Sequence, residues 1–261
     1  MKQNYIPQSE WGGGANGLSP IKGRNSFTLA EVLITLGIIG IVAALTLPGL
    51  IQRHRKTVIE TELKKSYSLL NQLLQRSEAD NGSAIHWEWP GTTTDTTIPN
   101  AFFNKYFAPY LKITKKVPSY SSKPPYTPYS AAGEPHRWLY SNNHLSDWVH
   151  LSDGSVIMLT TGALGFWHVI FPHSAKKDKI ILGRDAFSFS INITDNKASV
   201  SIMPSSYRYK TCENVENNRA LFLEYCRNID MTGAGIDPST YCTMLIYCND
   251  WKIPEDYPIK L

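Results

Sequence analysis

The sequence predicts an α+β fold: one long N-terminal helix, transmembrane in its first half and amphipathic in its second, packed on an antiparallel sheet. Three observations predict it. Leu29 to Leu47 is a run of 19 residues with a single charge, Glu31. Ile59, Leu63, Tyr67, Leu70 and Leu74 then recur at spacings of four and three, which draws one apolar face. Beyond residue 83, short segments alternate apolar and polar positions between turn residues.

The helix comes first. About 20 apolar residues in helical form cross a bilayer, and a buried helix of a soluble domain rarely stays apolar on every side for five turns. The core of a secretory signal peptide is shorter, about 7–15 residues, and ends in a small-residue cleavage site. Here the run is longer, has a carboxylate near its start, and leads into a continuing helical pattern. Asp80-Asn81-Gly82 supplies the stop. A helix from Phe27 to about Glu78 would be roughly 78 Å long at 1.5 Å per residue, with Asn25-Ser26 available as a cap. Pro48, followed by Gly49, should bend it, because proline removes a backbone donor and crowds the preceding turn. Glu31 is the residue lipid tolerates least. An ionisable group in a spanning segment is a functional candidate unless it reaches headgroups or water.

Composition limits the function. The 261 residues are 42% hydrophobic and 18% charged, ordinary for a globular chain, and 14 Tyr and 7 Trp suit a β-rich domain with half-buried surfaces. The net charge of +4 is partly N-terminal: removing Lys2, Lys22, Arg24 and Glu10 from 26 basic and 22 acidic residues leaves 23 and 21. A domain so nearly neutral lacks the footprint of a strong nucleic-acid binder.

Residues 83–261 read as one α+β domain. Pro99 to Leu111 carries a short helical stripe interrupted by Pro109, and the proline-rich stretch Val117 to Pro135 reads as an irregular exposed loop. Strands follow at Trp148–Leu151 and Ser155–Leu159, flanking the turn Ser152-Asp153-Gly154. Further strands are expected at Phe166–Phe171, Ala186–Ile191 and Ala198–Met203, giving four or five antiparallel strands with one face on a helix.

All four cysteines, Cys212, Cys226, Cys242 and Cys248, fall near the C-terminus without a C-x-x-C pair. In an oxidising compartment two disulfides are the natural reading; buried thiols and a metal site are the alternatives. Of the three pairings, we favour Cys226–Cys242, bracketing the turn-rich Met231–Gly235 before a strand-like run, with Cys212–Cys248 outside it.

No active site is expected, and no metal or cofactor. The histidines at 54, 86, 136, 144, 150, 168 and 173 form no H-E-x-x-H, and no G-x-S-x-G, P-loop or G-x-G-x-x-G occurs. His168, in an apolar strand, reads as a core histidine, and His150 near Asp153 as a chance hairpin pair.

Ser26-Phe27-Thr28-Leu29-Ala30-Glu31-Val32-Leu33-Ile34-Thr35-Leu36-Gly37-Ile38-Ile39-Gly40 resembles the cleavage and methylation signature of type IV pilins and type II secretion pseudopilins. Lys22 and Arg24 make the leader basic, Glu31 is fifth counting from Phe27, and Pro48 is twenty-second, where that family commonly has proline. The residue before the cut is Ser26, where the family prefers glycine, and the leader is long. The resemblance implies a leader (1–26), a transmembrane segment (27–48), an amphipathic continuation (49–82) and an exported domain (83–261). It implies cleavage by prepilin peptidase between Ser26 and Phe27, N-methylation of Phe27, and pairing of Glu31 with a neighbour's N-terminal amine. The implied partners are other pilin subunits, the inner-membrane assembly machinery and, before assembly, the lipid bilayer. The implied location is the bacterial inner membrane, single-pass with the domain outside the cytoplasm, and then a periplasmic or surface filament.

Less specifically, Phe102–Tyr106, Leu151–Ser155, Gly183-Arg184-Asp185-Ala186-Phe187 and Tyr241–Ile246 through Trp251–Pro258 resemble recurrent pseudopilin segments. Some relatives carry an Asp-x-Asn-Gly turn; this chain has Phe171-Pro172-His173-Ser174, so no calcium site is expected. The expected role is a structural subunit, and a mature length of 235 (261 less 26) leans toward a minor one. The competing role is a binding module for glycan, DNA or a surface, using aromatics near residues 87–89 and 120–129. A third reading is a single-span protein outside any filament.

Overall fold

A computed structural model of the chain describes residues 27–90, 95, 97–118, 125–135, 147–161, 165–171, 179–202, 211–228 and 238–261. One α-helix, α1, runs from Leu29 to Asn81, and Gly82, at φ +76°, ends it in the left-handed conformation glycine adopts without penalty. The chain divides into two compact units, residues up to Gly49 and Leu50–Leu261.

In the first unit, the α1 residues Leu29–Gly49 are exposed almost throughout. In the second, α1 buries Ile59, Leu63, Ser66, Leu70, Leu73, Leu74 and Ser77 along one stripe, the face its four-three spacing predicts. Removing the five aliphatic side chains from water contributes about 8–15 kcal/mol before entropy is counted. Ser66 and Ser77 are small enough to let the backbone approach its neighbours. Tyr67, at the edge of the stripe, stacks on Phe189 at 6.4 Å and meets Trp251 at 5.2 Å.

The stripe packs on a six-stranded antiparallel sheet. Its strands are β1 (Ile113–Val117), β3 (Trp148–Leu151), β4 (Val156–Thr161), β5 (Gly165–Ile170), β7 (Ala186–Thr194) and β8 (Lys197–Ser201), in that order. Register puts Val149, Ile157, Val169 and Phe187 in one cross-strand row, all in the core that α1 completes. The opposite face carries a second cluster of Trp148, Val156, Met158, Ile170 and Ala186.

That second cluster is shared with Ile180 and Leu182, near a two-stranded parallel ribbon of β2 (Thr127–Tyr129) and β6 (Lys179–Ile181). The ribbon corrects the loop expected over 117–135: Thr127–Tyr129 is a strand and Pro128 is buried. A two-stranded ribbon accepts proline because only one side of each strand needs to pair. β1 was also unexpected, since Ile-Thr-Lys-Lys-Val is too polar to stand out. Its exposed lysines suit an edge strand, where charge discourages pairing with other chains.

α2 (Thr97–Tyr106) and a 3-10 turn at Ala108–Tyr110 form the stripe expected at 99–111, burying Phe102, Phe103, Tyr106 and Phe107. Past the sheet come α3 (Cys212–Asn217), α4 (Arg219–Arg227) and α5 (Pro238–Cys248). The strand-like reading of Tyr241–Ile246 is therefore corrected. Those residues are buried on every side of α5, so no helical period shows in the sequence. Disulfides Cys212–Cys248 and Cys226–Cys242 bind α3 and α4 to α5 with Cα separations of 5.2 and 4.9 Å. Each closes a loop that would otherwise cost about 3–4 kcal/mol of chain entropy. The turn-rich 231–235 lies outside the described residues.

The Gly-Arg-Asp turn between β6 and β7 joins these parts. Asp185 is fully buried, and its carboxylate accepts from the Ile181 N–H at 2.8 Å and from both Arg184 guanidinium donors at 2.9 and 2.7 Å. A carboxylate so placed is tolerated because both of its oxygens accept hydrogen bonds, two of the three from a guanidinium. Gly183 sits at φ +79°, and its carbonyl accepts from the Tyr257 hydroxyl. A Cβ there would lie 2.3 Å from Cys242 Sγ and 2.6 Å from Ile259 Cδ1. The tail is tied down twice more. Glu60, buried on α1, accepts from the Ile253 N–H at 3.0 Å and from Lys252 Nζ at 2.9 Å. Arg219 forks onto Asp256 at 2.7 and 2.6 Å and holds that carboxyl below the usual carboxylate range.

Two outcomes are expected. Gly183→Ala should lower stability by about 3 kcal/mol, whereas Gly154→Ala, at φ +87° with nothing within 4 Å, should lose only about 1 kcal/mol. Thermal melts of the two variants make the comparison. Arg219→Gln releases Asp256 toward its ordinary pKa. A depressed carboxyl stabilises the fold above its unfolded pKa and loses that contribution as pH falls through the folded value. The stability gap between wild type and Arg219→Gln should therefore be full at neutral pH and close below about pH 4, as read from denaturant titrations across pH.

Candidate functional site

The N-terminal segment of α1 carries the groups the sequence singles out. Phe27 precedes the helix and is 85% exposed. Thr28 is the helix N-cap, and Glu31 completes a reciprocal capping box with it. The Thr28 N–H and hydroxyl donate to Glu31 Oε2 at 2.8 and 2.9 Å, and the Glu31 N–H donates to Thr28 Oγ1 at 3.2 Å. The Thr-Leu-Ala-Glu spacing announces this box in the sequence. Asn25, Ser26 and the rest of residues 1–26 lie outside the described residues.

Beyond Glu31 no charged side chain occurs before Arg53. The hydroxyls in this stretch turn inward: Thr35 donates to the Val32 carbonyl at 3.0 Å and Thr46 to that of Val42 at 2.9 Å. Each of these two hydroxyls is thereby satisfied within its own helix. Pro48 sits inside the helix and provides no N–H for the Ala44 carbonyl. The helix is long and apolar enough to cross a membrane, with none of its most apolar window buried in the protein.

The other candidate features settle into structural roles. Asp153 caps its hairpin through Ser155 and is bridged by Lys65, so it does not engage His150. His150 is half-buried beside Tyr126, and burial pushes its imidazole below the ordinary pKa. Trp87 is buried, stacked on Tyr106 at 4.2 Å with Nε1 donating to the Gly82 carbonyl, and Trp89 Nε1 donates to that of Ala84. Trp87 is a core anchor, which corrects its expected exposure to sugar, and Trp89 is half-buried against the same core. Residues 120–124, His136, His144, His173 and the side chain of His168 lie outside the described residues. Among the described residues, no three His, Cys, Asp or Glu gather as a metal site would require.

Residues 49–261 match the model of a family of unknown function, DUF6613. The chain belongs to this family. In this DUF6613 member, residues 21–47 also match the prokaryotic N-terminal methylation motif, which takes in Ser26, Phe27 and Glu31. That motif, followed by a long apolar helix and an α+β domain with an antiparallel sheet, fits a type IV pilin-like protein. Comparison with curated proteins and with solved structures gives no match.

Proposed function

We propose that this chain is a structural subunit, a minor pilin or pseudopilin, of a type IV pilus or type II secretion-like filament. One observation carries the reading. Among the described residues, every exposed large hydrophobic side chain except Ile98 and Ile193 lies between Phe27 and Ile51. An apolar surface that runs all round a helix for this length finds no partner in its own domain. Lipid supplies one before assembly, and the same helices of neighbouring subunits supply one after it.

On this reading residues 1–26 are a leader, 27–48 the membrane segment, 49–82 its amphipathic continuation and 83–261 the exported domain. Prepilin peptidase cuts between Ser26 and Phe27, and the new amine of Phe27 is methylated. Glu31, in the capping box with Thr28 in the lone chain, then meets the N-terminal amine of an adjacent subunit. A carboxylate in an apolar bundle is tolerated when an opposite charge faces it and costly when none does. A subunit packed out of register leaves two charges uncompensated, so the pair selects the register. Pro48 gives the helix a place to bend as it leaves the membrane. The domain stays outside the cytoplasm, where its two disulfides persist.

Glu31→Gln keeps the shape and removes the charge. Membrane fractions should hold the variant at wild-type level, while its incorporation into sheared filaments falls at least about tenfold. Quantitative immunoblots of both fractions measure this, and equal incorporation would contradict the register role.

A further inference from the structure

Directly after the apolar run come Arg53, His54, Arg55 and Lys56, four consecutive positions of α1. At 3.6 residues per turn, the three certain cations point about 0°, 200° and 300° around the axis, and His54 falls inside the widest gap. They form a belt, not a stripe. Arg53, His54 and Arg55 are exposed, and their side chains make no hydrogen bond or ion pair among the described residues. Lys56 is half-buried, with Nζ 3.4 Å from the Ile253 carbonyl. Glu60, one turn on from Lys56, is already held by Lys252 and the Ile253 N–H.

A protein partner docked on one side would call for charge on one face. Positive charge all round calls for a planar layer of anions through which the helix passes. The uncharged stretch between Glu31 and Arg53, Val32 to Gln52, is 21 residues (52 − 32 + 1), about 32 Å of helix at 1.5 Å per residue, close to the roughly 30 Å hydrocarbon thickness of a bilayer. Cations flanking a span on the side of a large domain also run against the usual bias of short loops. We propose that Arg53, Arg55 and Lys56 form a collar for anionic phospholipid headgroups, which sets the depth of the helix while the subunit waits in the membrane. Guanidinium forks match phosphodiester oxygens, and long stems let the charged ends lie along the surface. The collar rests on the membrane reading above.

The test uses the full-length chain reconstituted in phosphatidylcholine vesicles, probed in turn with spin-labelled phosphatidylglycerol and spin-labelled phosphatidylcholine. Motionally restricted lipid at the helix should be enriched about two- to fivefold in the anionic probe. Arg53→Gln/Arg55→Gln/Lys56→Gln should lower that preference at least about twofold, leaving only what Lys22 and Arg24 attract at the other end, and keep the total restricted fraction. A restricted fraction without preference in the wild type, or one unchanged in the triple variant, overturns the collar and leaves the membrane span standing. No restricted fraction with either probe overturns the span and the collar together. A wild type without lipid preference whose triple variant fails to enter filaments assigns the belt to an acidic neighbouring protomer, again against the collar.

Discussion

One helix has to satisfy two solvents. Its first part is apolar on every side, and its second shows the domain a single stripe at four-three spacing. Everything else in the fold responds to that division. The domain needs a sheet with one face ready for the stripe, and β4, β5 and β7 supply it through Ile157, Val169 and Phe187. The apolar part needs an environment the domain does not provide. The hydroxyls of Thr28, Thr35 and Thr46 bond within the segment itself, so most of its surface is hydrocarbon.

The last fifty residues, 212–261, tie into this helix-on-sheet layer. α3, α4 and α5 are short and would be marginal alone, but the two disulfides make them one unit. That unit reaches the sheet through the Gly183 turn and reaches α1 through Glu60 and Trp251. Asn249 to Lys252 forms a tight turn in which Asp250 and Trp251 both have positive φ. Such strain persists only where surrounding contacts hold it. Here they are Tyr67 and Tyr247 against the indole.

Much of this could be read from the chain. Periodicity alone found the buried positions Ile59, Leu63, Leu70 and Leu74; the turn at Ser152-Asp153-Gly154 marked β3 and β4, an apolar run marked β5 and alternation marked β7 and β8, because each stands in contrast to the residues around it. What escaped notice lacks that contrast. α5 is buried all round and showed no period, β1 is edge-exposed and polar, and β2 is a three-residue strand built on a proline. At the candidate site, Phe27, Glu31 and Pro48 stood out by type and spacing. The Thr28 capping box is equally legible in the Thr-x-x-Glu spacing. The places of Trp87 and Trp89 are not: aromatic content does not say whether a ring is spent on the core.

The account stands on Phe27 being the first residue of the working protein. The mass of the chain extracted from the membranes of its producing cell tests this most directly. The account predicts a mature polypeptide beginning at N-methylated Phe27, with both disulfides intact. A chain still starting at Met1, or one cut near Ala43-Ala44 so that Glu31 is lost with the leader, would contradict it.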